Sequence, residues 1–269
     1  MFNGFLRQGS SANQTVSSNL SGSYSLTKTG TGTLTLSGNN SHTGGNTISA
    51  GTVSIAAASA LGTGPTTVNG TLTVTAGTTI STVLAGSGSI GMSTGNLLLT
   101  GTNTFSGTIT VTGGNLIAES NASSMGGQPK LALNGGSFVI GVVYVGGTCT
   151  IGDLSGNSAA STINPAYNAT IGTRRLAINQ TGTTTYQGLV QDAGGSRFIA
   201  VTKNGAGQLT LSGNNTYTGG TIVNAGTIKA GHINAFGTGG ITVNAGGTLD
   251  KGGFAITNTV TNNGGTVID

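Results

Sequence analysis

The side chains best suited to acid–base or metal chemistry are few: Glu119, Asp153, Asp192, Asp250 and Asp269, with His42, His232 and Cys149. Glycan cleavage needs paired carboxylates, as acid and base or acid and nucleophile. Only Asp250 and Asp269 lie near one another in sequence. Stacked strands can gather distant acids, so spacing alone leaves a site open, but the small number of acids weighs against one. Two histidines and one cysteine with no neighbouring carboxylates do not make a zinc set. Calcium-binding nonapeptide repeats carry an aspartate in each copy, a pattern lacking here. Gly86-Ser87-Gly88-Ser89-Ile90-Gly91 fits the G-x-G-x-x-G phosphate pattern, yet Met92 to Thr100 reads as turn then strand, with no helix to receive a pyrophosphate. Asn-x-Ser/Thr triplets at Asn39, Asn121, Asn168 and Asn214 follow from composition. No catalytic residue, cofactor or metal is expected.

Charge points the same way. Charged residues are 5 % of the chain and the net charge is +4, against about 25 % charged residues in ordinary soluble domains. Arg174-Arg175 is the one adjacent basic pair. Nucleic-acid binding needs clustered bases to neutralise phosphates, so neither that partner nor a strong electrostatic membrane contact is expected. Arg174, Arg175 and Arg197 are the candidate partner-facing charges. Cys149, the single cysteine, has no intramolecular disulfide partner and reads as a small buried hydrophobe. The opening MFNGFLRQGS has no apolar signal core, and the run Phe138 to Val145 is too short to span a bilayer as a helix. The export route is not written in these residues.

The elements that would position these side chains are strands. Apolar residues alternate in short bursts, as in Leu34-x-Leu36, Val53-x-Ile55, Leu72-x-Val74, Leu131-x-Leu133, Leu209-x-Leu211 and Ile241-x-Val243. Period two bounded by Gly, Asn, Ser or Thr is the strand signal. Turns fall at Gly38-Asn39-Asn40, Thr43-Gly44-Gly45, Asn134-Gly135-Gly136 and Asn263-Gly264-Gly265. One short helix is expected over Ala56 to Leu61, with a weaker counterpart near Ile233 to Phe236.

Longer-range order is repetitive. Leu26 to Asn69 matches Val201 to Asn244 in constant register, and Leu99 to Ala118 is a third copy. Units that bury their apolar face only against their neighbours form solenoids. A coil of about 20 residues gives roughly 12 to 14 coils and a rod on the order of 60 Å long. Leu, Val, Ile and Ala point inward; Thr, Ser and Asn point outward, where they can stack as hydrogen-bonded ladders. Residues 1–25 read as an irregular lead-in, and 26–269 as one continuous parallel β-solenoid.

Lys28-Thr-Gly-Thr-Gly-Thr-Leu-Thr-Leu-Ser-Gly-Asn-Asn, followed by Thr43-Gly-Gly and Ala50-Gly-Thr, resembles the autotransporter-associated β-strand repeat of bacterial passenger domains. So does Lys203-Asn-Gly-Ala-Gly-Gln-Leu-Thr-Leu-Ser-Gly-Asn-Asn-Thr-Tyr-Thr-Gly-Gly with Asn224-Ala-Gly-Thr. The Leu99 copy lacks the Lys-x-Gly-x-Gly lead. This resemblance implies a right-handed parallel β-helix at a bacterial cell surface or outside the cell, serving adhesion, aggregation or presentation.

Together these readings describe a non-enzymatic extracellular rod: a stalk, an adhesive rod or a fibre subunit. Its terminal coils expose strand edges that need a cap or a partner. Head-to-tail self-association through Phe2, Phe5 and Leu6 against Val260, Val267 and Ile268 is the expectation. Three other readings are an adhesin that binds a surface glycan or matrix ligand through residues 119–199, a polysaccharide-active enzyme, and a trimeric viral fibre. His42, Phe105 and Tyr217 occupy one repeat position, and their interchange favours packing over a glycan-stacking platform.

Overall fold

The computed structural model describes residues 5–119, 125–141, 147–166 and 171–269. It contains 30 short strands, and every strand pair is parallel. A chain that alternates apolar and polar residues for only four positions before a glycine turn cannot cover a sheet face alone. It stacks each strand on the equivalent strand of the next coil, which gives a β-solenoid of about 12 turns. Among the described residues there is no α-helix.

Three sides enclose the core. One carries five strands from Phe5–Gln8 to Leu84–Ala85, the next eight strands from Gln14–Val16 to Leu154–Ser155, and the third six strands from Thr78–Ile80 to Leu189–Val190. Beyond the middle of the rod a six-stranded sheet runs from Thr148–Ile151 to Val260–Asn263, and a five-stranded sheet from Thr183–Tyr186 to Thr266–Ile268. The repeat aligns these two with the first two sides, since Ser25–Lys28 corresponds to the end of Arg197–Asn204 and Thr33–Leu36 to Gln208–Leu211. A bridge between Gly156 and Tyr186 joins the second side to its continuation.

Register is regular. Leu34 lies opposite Val53, Val53 opposite Leu72, Leu72 opposite Ile90 and Ile90 opposite Ile109. Each of these residues is buried, and their neighbours along the strand face outward. The core is therefore a column of aliphatic rungs running the length of the rod.

Two expectations change. Residues 5–16 are not an irregular lead-in: Phe5–Gln8 pairs in register with Ser25–Lys28, and Gln14–Val16 with Leu34 to Leu36. The predicted helix at Ala56 to Leu61 is a tight turn held by Ala60 N–H to Ala57 O (3.2 Å) and Gly62 N–H to Ser59 O (3.0 Å). Ile233 to Phe236 is likewise a turn. A single turn does not repay helix nucleation, and Ala60 and Ala235 are drawn into the core instead.

Candidate functional site

The polar residues that define the repeat are buried. Lys203 is fully enclosed, and its Nζ donates to the carbonyl oxygens of Asn204 (2.9 Å), Gly205 (2.8 Å) and Ala225 (3.0 Å). Lys28, its equivalent, is also enclosed and donates to Gly30 O. Each ammonium ties a Gly-x-Gly turn; that of Lys203 also reaches the coil that follows. Burial pushes the Lys203 ammonium down to about 8, although the Asp153 charge opposes the shift. The Ala-Gly-Thr phrase of the repeat covers this turn. Gly51 and Gly226 have φ of +64° and +61°, and a Cβ on either would lie 2.2 or 2.5 Å from the carbonyl oxygen of Gly30 or Gly205. Only glycine fits there.

The second asparagine of Gly-Asn-Asn is a staple across three coils. Asn215 Oδ1 accepts from Val190 N–H at 2.8 Å while its Nδ2 donates to Ala235 O. Asn40 does the same between Leu20 N–H and Ala60 O, and Asn103 accepts from Leu84 N–H. The aromatic repeat position packs inward, as expected: His42, Phe105 and Tyr217 are at most 2 % exposed. Cys149 is buried too, which pushes its thiol up to about 12.

Four of the five acids, Asp153, Asp192, Asp250 and Asp269, are hydrogen-bond acceptors or ion-pair partners. Asp153 accepts from the N–H groups of Thr181 and Gly182 and the Thr181 hydroxyl, and pairs with Lys130 at 3.3 Å. Burial alone would raise this carboxyl, but those donors hold it below its ordinary value. Asp192 accepts from Ile199 N–H, Thr218 N–H and the Thr218 hydroxyl. Asp250 pairs with Lys229 at 2.6 Å and Asp269 with Lys251. Among the described residues no three His, Cys, Asp or Glu side chains gather as a metal site.

The arginines separate. Arg175 is exposed and Arg197 half-buried, but Arg174 is 1 % exposed, with Nε donating to Gly141 O (3.2 Å) and Nη1 to Gly172 O (3.0 Å). Arg174 is therefore not a surface contact. Strand alternation turns Arg174 and Leu176 inward and Arg175 outward. Sequence reading missed the buried roles of Lys28, Lys203 and Arg174. For the lysines a signal existed, since both stand at one repeat position before a glycine turn.

At the two ends, Leu6 and Ile268 are 36 % and 46 % exposed, and Val260 and Val267 are half-buried. Phe5 lies in the first described strand. Phe2, Asn121, Asn168 and the run Val142 to Val145 fall outside the described residues. A shallow cavity of about 270 Å³ opens beside Leu6, Gln8, Val16 and Leu34, and another beside Lys251, Phe254, Ile256 and Asp269. Along the flank an asparagine ladder forms as expected: Asn224 donates to Asn204, Asn244 to Asn224 and Asn263 to Asn244, at 2.8–3.1 Å.

Comparison with known families places these features. The passenger-associated-transport-repeat matches residues 26–55, 93–118 and 201–230. Three segments of the chain carry this repeat. The first and last matched units begin where the copies read from the sequence begin and end earlier, at Ile55 and Ala230, and the middle one reaches back to Ser93. The buried lysines, the asparagine staples and the inward rings are thus the working parts of this repeat in the present chain. A stretch of 117 residues is 36 % identical to the adhesin BmaC autotransporter of Brucella suis biovar 1 (strain 1330), covering 42 % of this chain and 3 % of that protein. The chain thus spans a small part of the relative's length. No solved structure matches.

Proposed function

We propose that the chain is a non-enzymatic rod segment of an adhesin-like passenger, acting outside the bacterial cell or on its surface. One observation carries this reading: the passenger repeat recurs three times within a parallel β-solenoid of about 12 turns. The carboxylates engaged in structural hydrogen bonds support a mechanical role over glycan cleavage. Contact with a surface glycan or matrix ligand would fall on residues 119–199, where Arg175 and Arg197 reach solvent. The test is adhesion of beads coated with the purified chain to immobilised matrix proteins and glycans. Binding that falls when Arg175 and Arg197 are replaced by Ser supports the reading; beads that bind nothing above a blank count against it.

Self-association is a second reading, favoured by the terminal strands. Among the described residues, Phe5–Gln8, Gln14–Val16, Val260–Asn263 and Thr266–Ile268 are each paired on one side only. A further coil, from another copy, would continue the same parallel ladder, with Leu6 set against Val260 and Gln8 beside Asn262. Electron microscopy of the purified chain at rising concentration decides this: filaments that shorten when residues 1–8 are deleted support stacking, and single rods at every concentration rule it out.

A further inference from the structure

The second side of the rod presents a lattice of hydroxyls. Thr33, Thr52, Thr71, Ser89 and Thr108 stand in one column, each opposite the next in parallel register. Two residues further along the same strands, Thr35, Ser54, Thr73, Gly91 and Thr110 form a second column. The intervening Leu34, Val53, Leu72, Ile90 and Ile109 are buried, so the columns lie on one outward face. Parallel β geometry sets the spacing at about 4.8 Å between coils and about 6.6 Å between columns.

These hydroxyls are not used by the fold. Threonines just beyond the strands bond to the preceding coil, as Thr75 does to Ile55 O and Thr112 to Met92 O. Among the described residues the hydroxyls of the two columns make no hydrogen bond within the protein. The other end of the chain shows that the fold does not require them. There the positions of Ser54 and Thr73 are taken by Lys229 and Asp250, paired in the same register and joined by an ion pair. The face of these five coils carries neither charge nor aromatic ring, and Lys130, next in the first column after Thr108, bounds it.

We propose that this face binds ice. A rigid two-column array of hydroxyls and methyls, repeating near the oxygen–oxygen intervals of a prism plane of hexagonal ice, holds its hydration water in positions the crystal can adopt. Each hydroxyl keeps one water in place by a hydrogen bond, and the methyl beside it restricts the orientation of first-shell water. Charged groups would bind water more strongly and in other orientations, so their exclusion from the face is part of the match. Stacking on sugar rings, the usual basis of contact with a crystalline polysaccharide, needs aromatic side chains that this face does not offer.

Two variants test the proposal. Ser54→Lys with Thr73→Asp copies the Lys229–Asp250 pair that the same backbone already carries, so the fold is retained, as circular dichroism will verify. Gly91→Thr fills the gap in the second column; a Cβ at Gly91 meets nothing within 4 Å. The purified chain is expected to partition into a slowly growing ice front and to suppress ice recrystallisation. Ser54→Lys/Thr73→Asp should lose most of both effects, and Gly91→Thr should strengthen them. Exclusion of the parent chain from ice, or partitioning unchanged in the charged variant, overturns the proposal. Pelleting with crystalline cellulose or chitin without ice partitioning overturns it as well, and assigns the face to a glycan.

Discussion

Tyr217 Oη lies 2.7 Å from Thr221 Oγ1 inside the core, and the pair is repeated as His42 Nε2 to Asn46 Oδ1 at 2.9 Å. In both cases the partners are four residues apart, one at the turn and one on the strand that follows. The middle copy has Phe105 there, and the residue four further on is Ile109. Polar ring goes with polar partner, and apolar ring with apolar partner. Buried polar groups generally find a partner, and these pairs follow that tendency at Tyr217 Oη and His42 Nε2, although His42 Nδ1 is buried without one.

Removing one member should therefore cost more than removing both. Tyr217→Phe strands the Thr221 hydroxyl and is expected to lower stability by about 1–3 kcal/mol. Adding Thr221→Ile, which recreates the pair of the middle copy, should recover part of that loss. Urea unfolding midpoints of the three proteins provide the comparison; equal losses for single and double variants would remove the coupling.

Asn215→Ala removes the acceptor of Val190 N–H and the donor to Ala235 O at once. Two buried backbone groups lose their partners, so a destabilisation of about 2–4 kcal/mol is expected. Because coils are coupled to their neighbours, hydrogen exchange should speed up first around residues 190 and 235. An exchange pattern unchanged at those residues would contradict the staple.

Lys203 gives a pH signature. Its folded value, about 8, lies below the ordinary 10.5, so between these limits the unfolded chain binds more protons and stability rises with pH. Cys149 acts in the opposite sense. Its folded thiol titrates near 12 against an ordinary 9.0, so stability is lost as pH rises from about 9 towards 12. In a Cys149→Ser background the melting temperature should climb from pH 8 to pH 10, and Lys203→Met should reduce that climb, the remainder coming from Lys28, whose ammonium burial also lowers. A flat profile in the background protein would refute the buried ammonium.

The Cys149 thiol should also be inert. Burial disfavours the thiolate, the reactive form, so labelling by a thiol reagent at pH 8 should be slow in the folded chain and immediate in denaturant. Rapid labelling under native conditions would place Cys149 at the surface.

Period-two alternation, glycine turns and the register of the copies made the all-β parallel solenoid readable from the chain alone. These are local properties: a strand four residues long declares its inward positions by polarity, and a repeat declares which positions are equivalent. The same equivalence gave the inward packing of His42, Phe105 and Tyr217.

Direction within a coil was not readable. Arg174 reads as a partner-facing charge and Lys203 only as a repeat residue, yet both are buried because neighbouring carbonyl oxygens converge on them. Asp192 finds its donors at Ile199 and at Thr218, one coil away. The sequence determined the coil and its repetition, because hydrophobic periodicity and glycine turns act over a few residues. Which charges lie inside, which hydroxyls stay free and which faces are flat were decided by stacking, since each depends on atoms that adjoin only when distant coils are brought together.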